Sequence, residues 1–265
     1  MIEIDLIRHV KVLGKPALYG STDVAPITAE NARLLARLLA QQKTSKAYHA
    51  IISSPLIRCQ NLAREFSQLG HLPLEVFPDL QEMHFGSFDG MPFDDLFFEE
   101  SVCKAVSEVD EETKLHWSQL EGFFQAPADI VLPQAESLTD FHLRLKRTWR
   151  KLIEQQVLIA TKQKRTLGLG QQALKEPDEN RRVLVIAHGG VIRMILAEIL
   201  QLDWQQASWH QKLHIGHGSI SRILISQPYQ EKQRGHAVKQ IKYKQLTQHV
   251  TTIAMPFLEE ISNER

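Results

Sequence analysis

The chain has 265 residues with 31 basic and 31 acidic side chains, so its formal charge is zero, and a balanced charge argues against a general nucleic-acid or polyanion binder, which carries a basic excess. A hydrophobic content of 43% and a charged content of 23% are those of a globular protein. Met1-Ile2-Glu3-Ile4-Asp5 is too acidic to open a signal peptide, and no apolar run approaches the roughly 20 residues that span a membrane; with Cys59 and Cys103 at no disulfide or metal spacing, cytoplasmic residence is expected.

Ile2 to Ile7 is short and β-branched, which predicts a buried strand ending near Arg8. A loop rich in turn formers follows, with Gly14, Pro16, Gly20, Ser21, Asp23 and Pro26. Thr28 is the expected N-cap of a helix striped by Leu34, Leu35, Leu38 and Leu39. Ala50 to Ser53 reads as a second strand, then Ser54-Pro55 leads into a helix from about Leu56 to Leu69, and Leu74 to Phe77 as a third strand. Helical regions are expected around 92–107 and 136–163, with Phe97, Phe98, Trp117, Phe123 and Phe124 giving an insertion at roughly 86–150 its own packing surface. The polar stretch 161–182 reads as a surface excursion. Val183 to Ala187 is the clearest strand, followed by His188-Gly189-Gly190 and a helix from Val191 to Leu200. Ser219 to Ile225 reads as a strand, with Ile241 to Lys244 its expected antiparallel neighbour. Strands alternating with helices predict one α/β domain over 1–265, with a mainly parallel sheet between two helical layers.

Three strand ends carry the chemistry. The first delivers Arg8 and His9, the second Ser53-Ser54-Pro55 with Arg58 one turn later, and the 183–187 strand His188-Gly189-Gly190. Ligands of open α/β sheets bind beyond the carboxyl ends of the strands, so these groups are expected at one mouth. Two arginines in a concave site suit phosphate or carboxylate, whose oxygens match the guanidinium fork. A helix opening after His188-Gly189-Gly190 adds backbone N–H groups that favour an anion.

Leu6-Ile7-Arg8-His9 resembles the LxRHG motif of the histidine phosphatase superfamily, which includes the cofactor-dependent phosphoglycerate mutases. Residues Ser53 to Ala63 resemble its SSPLxRAxQTA segment, Leu80 to Gly90 its LxExxFGxxEG segment, Pro133 to Leu138 its PGGESL segment, and Ala187 to Arg193 its second histidine motif. The motifs arrive in family order between residue 4 and about 225. The resemblance implies a phosphoglycerate mutase-like three-layer fold and a phosphatase that needs neither cofactor nor metal. His9 would be the nucleophile, Arg8, Arg58 and His188 would bind the phosphoryl oxygens, and Glu82 would protonate the leaving oxygen. An imidazole attacks only when neutral, so the other ring nitrogen of His9 should donate to a nearby carbonyl. Arg8, Arg58 and a protonated His188 would supply the charge that phosphoryl transfer needs.

Two departures from the family pattern stand out. Val10 occupies the usual glycine position; a β-branched residue there restricts the backbone beside His9 and adds bulk, so a tuned pocket or a reduced activity is expected. The loop Leu18-Tyr19-Gly20-Ser21-Thr22-Asp23 is similar to that of the α-ribazole-5′-phosphate phosphatases of cobalamin synthesis. Ser21 and Thr22, with Gly189, then join the expected phosphate-binding set, although turn and cap duties are equally natural for such hydroxyls. The expected partner is a small phosphate ester rather than nucleic acid or a membrane; phosphoglycerate mutase-type transfer and a non-catalytic phospholigand module remain the alternatives. His210, His214 and His217 lack a neighbouring acid or cysteine at ligand spacing, so no metal site is expected there.

Overall fold

The computed structural model describes residues 1–92, 111–168, 181–206, 212–226 and 246–257. In chain order it contains β1 (Ile2–Arg8), α1 (Thr28–Gln42), β2 (Ala50–Ser53), α2 (Ile57–Gly70), β3 (Leu74–Val76), α3 (Glu111–Gln125), α4 (Leu138–Gly168), β4 (Arg181–Ala187), α5 (Gly189–Leu200), β5 (Ser219–Ser226) and β6 (Thr247–Pro256). All six strands lie in one sheet of order β3-β2-β4-β1-β5-β6. β3, β2, β4 and β1 are parallel, and β5 runs antiparallel between β1 and β6.

The period-2 pleat sorts the core onto two faces. Leu184 and Ile186 of β4 pack with Leu34 and Leu38 of α1 and with Leu62 and Phe66 of α2. Val183, Val185 and Ala187, their alternates, pack with Trp149, Leu152 and Ile153 of α4 and with Val191 and Ile195 of α5. Both faces of β4 are fully buried, which is why it reads as an unbroken apolar run. The result is the expected α/β/α sandwich.

Several boundaries differ from expectation. Ile27 caps α1 with no side-chain hydrogen bond, and Thr28 already lies in the first turn. The backbone N–H of Ile27 is held by the Lys11 carbonyl at 2.8 Å. α4 runs on to Gly168, so the first part of the expected excursion is helix, while 169–180 lie outside the described residues. The strand beside β5 is Thr247–Pro256. The segment expected there, 241–244, and the helix expected at 92–107 fall outside the described residues, apart from residue 92. β6 was hard to read because it is an edge strand whose residues alternate between exposed and half-buried, with no apolar run.

Away from the strand ends, β1 buries an acid. The Asp5 carboxylate accepts hydrogen bonds from Tyr48 Oη at 2.7 Å, Arg182 Nη2 at 3.0 Å and Arg222 Nε at 2.7 Å, and is wholly inaccessible. Removing one partner of such a group strands the others in low dielectric. Asp5→Ala should lower the unfolding free energy by about 3 kcal/mol, read by urea denaturation; an unchanged urea midpoint would show that Glu3, which also pairs with both arginines, suffices.

Candidate active site

Three adjacent parallel strands end at one height. The N–H of His9 donates to the Ala187 carbonyl at 3.0 Å and that of Ser54 to the Ile186 carbonyl at 3.0 Å, so His9, His188 and Ser54 leave β1, β4 and β2 side by side. Above them is a cavity of about 670 Å³, lined at its polar end by Arg8, His9, Glu82, Gly189, Gly190, Arg193 and His217.

His9 Nδ1 donates to the Val10 carbonyl at 2.6 Å, which leaves the lone pair on Nε2. The ring is held between His188 and His217, with centroids 5.2 and 5.4 Å away. Burial first, then the charges of Arg58 and Arg8, push its pKa well below the ordinary histidine value, so it is neutral. The Val10 side chain does not add its bulk to the cavity. It is buried in the opposite cluster, with Ile7 and Leu34, and only its carbonyl serves His9.

His188 and Arg58 stand behind His9 and do not line the cavity. Arg58 Nε donates to His188 Nδ1 at 3.1 Å, so His188 Nε2–H donates to Ser54 Oγ at 2.7 Å. Burial, with Arg58 adding to it, drives the His188 pKa well below its usual value. The expected imidazolium is therefore a neutral ring, because a donor already occupies Nδ1. The rest of the Arg58 fork donates to the carbonyls of Thr22 at 2.9 Å, Tyr19 at 3.0 Å and Gly20 at 2.6 Å.

Ser21 and Thr22 do not line the cavity either. The N–H groups of Gly20, Ser21 and Thr22 donate to the Asp89 carboxylate, as does Ser21 Oγ at 3.2 Å. Desolvation raises the Asp89 pKa, but the hydrogen bonds from Thr22, Phe85 and Ser21 outweigh it and hold the group below its usual range. The turn is thus held by Arg58 on its carbonyls and by Asp89 on its amides. A Cβ at Gly20 would sit 2.1 Å from the Met83 carbonyl oxygen, so this packing requires glycine.

Arg8 and Glu82 face each other across the start of α5. Arg8 Nη1 donates to the Ile215 carbonyl, and burial lowers the Arg8 pKa to about 10. The Glu82 carboxylate accepts the N–H of Gly190 at 2.8 Å and of Met83 at 3.1 Å. A Cβ at Gly190 would come within 2.4 Å of Glu82 Oε1, so the second glycine makes room for the carboxylate. The loop carrying Glu82 is tied to α4: Arg144 donates to the carbonyls of Asp79 and Gln81 and pairs with both oxygens of Glu136. Glu136 is therefore half of this tie.

Three features escaped sequence reading. Arg193 lines the cavity one helical turn after Gly189. His217, weighed only as a metal ligand, stands beside His9 with its pKa pushed down to about 3 by burial, with Arg8 and Lys11 adding to it. Phe123 and Phe124 of α3, taken as insertion packing, join Phe85, Leu138, Phe141 and Met194 in an apolar outer wall. Among the described residues no group of three or more His, Cys, Asp and Glu could hold a metal ion, and no helix is long and apolar enough to cross a membrane.

The chain is similar to known proteins in sequence and in fold. The protein described as uncharacterized phosphatase PhoE of Bacillus subtilis (strain 168) is 24% identical over 180 residues, 68% of this chain and 67% of its own. The probable phosphoglycerate mutase GpmB of Yersinia pestis (strain Pestoides F) is 25% identical over 225 residues, 84% of this chain and 85% of its own. A mycobacterial glucosyl-3-phosphoglycerate phosphatase shares the fold with a TM-score of 0.63 at 18% identity, covering 96% of this chain and 99% of its own. The α-ribazole phosphatase of Shigella flexneri does so with a TM-score of 0.61 at 18% identity, covering 97% and 100%. The family model of the histidine phosphatase superfamily (branch 1) matches residues 4–101 and 104–234. With most of its length matched, the chain belongs to the histidine phosphatase superfamily, branch 1.

Proposed function

We propose that this phosphatase hydrolyses a small phosphomonoester through a phosphohistidine on His9, with side-chain cations rather than a metal supplying the charge. The observation that carries the reading is the neutral His9 ring, fixed by its Nδ1–H on the Val10 carbonyl at the floor of a cavity shared with Arg8 and Glu82. As the phosphate dianion binds beside it Glu82 takes up a proton from solvent; His9 Nε2 attacks phosphorus, the ester P–O bond breaks, and Glu82 gives that proton to the leaving oxygen. Water then attacks the phosphohistidine, Glu82 takes up a proton, and the P–N bond breaks to free His9 and phosphate. Arg58 and His188 serve by position: they fix the floor beneath His9 and the 19–22 turn. The Val10 side chain is buried away from the cavity and leaves His9 free to react.

The cavity volume suits a metabolite-sized ligand. Its wall of Phe85, Phe123, Phe124 and Phe141 favours an ester with a flat or apolar leaving group over a wholly polar one. α-Ribazole 5′-phosphate is the substrate we favour, on this wall and on the loop around Tyr19.

A panel of phosphomonoesters including α-ribazole 5′-phosphate, assayed in EDTA with and without a bisphosphate primer, tests the reading. Phosphate release without primer is expected; primer-dependent interconversion of phosphoglycerates would make the chain a mutase. His9→Ala should lower turnover by at least about a thousandfold with the fold intact by circular dichroism. Retained wild-type turnover in that variant would sink the mechanism. Glu82→Gln should slow alkyl esters by on the order of a hundredfold but activated aryl phosphates far less; equal losses on both would remove its role as the acid.

The folded pKa values of His9 and His188 lie well below 6.5, so both rings stay neutral as pH falls through the ordinary histidine range. The unfolded chain binds protons there that the folded chain refuses, so this contribution is present above about pH 6.5 and is lost as pH falls below it. Their ring NMR shifts should stay constant between about pH 7.5 and 5 while the urea midpoint declines. A titration step near 6.5 at either ring would contradict the assigned tautomers.

A further inference from the structure

Glu82 lies on neither a strand nor an α-helix. It sits between two short 3-10 turns, Pro78–Leu80 and Gly86–Phe88. A stretch without ladder hydrogen bonds is placed by its contacts to other segments. Leu80 and Met83 anchor it inward, in the core. Outward it is held by the chain around the start of α4. The Ser87 N–H donates to the Pro133 carbonyl at 3.0 Å, and the Glu136 N–H to the His84 carbonyl at 2.9 Å. Arg144 holds the other end, where Nη1 donates to the carbonyls of Asp79 at 2.6 Å and Gln81 at 3.1 Å.

The Gln81 contact bears most directly on the acid. That carbonyl shares one planar peptide unit with the Glu82 N–H, so holding the oxygen holds the plane from which Glu82 departs. A turn of that plane would carry the carboxylate away from the Gly190 N–H, which it meets at 2.8 Å. Arg144 is itself fixed, because Nε and Nη2 donate to the two oxygens of Glu136 at 2.8 and 2.7 Å, a bidentate pair of set geometry. The same guanidinium lies over the Phe141 ring, with Cζ 5.1 Å from its centroid. Phe141 belongs to the apolar wall of the cavity, whereas Arg144 does not line the cavity. One side chain thus touches both the backbone that carries the acid and the wall on which a leaving group rests.

We propose that Arg144 is a positioning residue for proton transfer, setting Glu82 in register with the leaving oxygen of an ester seated against Phe141. The proposal rests on the reading of Glu82 as the acid and deepens it. A merely structural Arg144 would support the fold and affect all esters alike.

Steady-state kinetics on an alkyl phosphate and on nitrophenyl phosphate separate the two roles, because an activated aryl leaving group needs little protonation. Arg144→Met should lower kcat on the alkyl ester by about tenfold or more and on the aryl ester by less than about threefold. Arg144→Lys keeps the charge without the fork, so it should fall between Arg144→Met and wild type. In a Glu82→Gln background, Arg144→Met should cause no further loss on the alkyl ester, since an absent acid needs no positioning. Equal losses on both esters, or fully additive losses in the double variant, overturn the proposal. Should Arg144→Met not fold, Glu136→Gln, which weakens the hold on the arginine, is read in the same way: a loss confined to the alkyl ester is expected, and equal losses overturn it. If Glu82→Gln alone slowed both esters equally, the acid role would fall and this proposal with it. Selective loss in Glu82→Gln beside unselective loss in Arg144→Met would remove the positioning role alone.

Discussion

The buried guanidinium of Arg58 is the group on which the site is assembled. A charge taken out of water must be met by hydrogen bonds, and this one finds them in two separate segments. Nε meets His188 after β4, while Nη1 and Nη2 meet the carbonyls of the 19–22 turn after β1. The arginine itself rides on the first turn of α2, after β2. One side chain thus links the segments following three neighbouring strands. Its hydrogen bond to Nδ1 sets the His188 tautomer, and His188 in turn packs edge-on to His9. Asp89 completes the arrangement by gripping the amides of the turn whose carbonyls Arg58 holds.

Close backbone approach is the second constraint. Gly189 and Gly190 open α5 where Arg8 and Glu82 must both come near the helix start. A Cβ at the first would meet the Arg8 guanidinium at 3.2 Å, and one at the second the Glu82 carboxylate at 2.4 Å. The cation and the acid are thereby brought to one side of His9, which is the arrangement the proposed reaction uses. α4 stabilises the acid's side: its Arg144 binds the carbonyls on the approach to Glu82, and its Glu136 partner neutralises that arginine. Packing within the helical layer therefore bears directly on the chemistry.

What the residues show before folding is unequal. β1 and β4 are plain as apolar runs because both their faces are buried, and a parallel sheet puts the residues that follow them at one edge. Arg8, His9 and Gly189 are legible for that reason and Glu82 only through the motif resemblance, and all four meet at the cavity. Arg193 and His217 are not legible, since nothing local marks which face of α5 or which turn before β5 will look into the cavity. β6 is missed for a different reason: half-exposed along its length, it lacks an apolar signature.

The sequence by itself determined the layered α/β architecture, the strand ends that meet, and the residue types able to handle a phosphate. These depend on local periodicity and on the parallel order of the strands. Only the tertiary structure decided how those residues divide their work. Whether an arginine faces a ligand or the protein's own carbonyls depends on which acceptors lie within a hydrogen bond of it, and those come from segments distant in the chain. Arg58 spends its fork on the 19–22 carbonyls and His188 for that reason, and its bond to Nδ1 leaves His188 a neutral donor to Ser54.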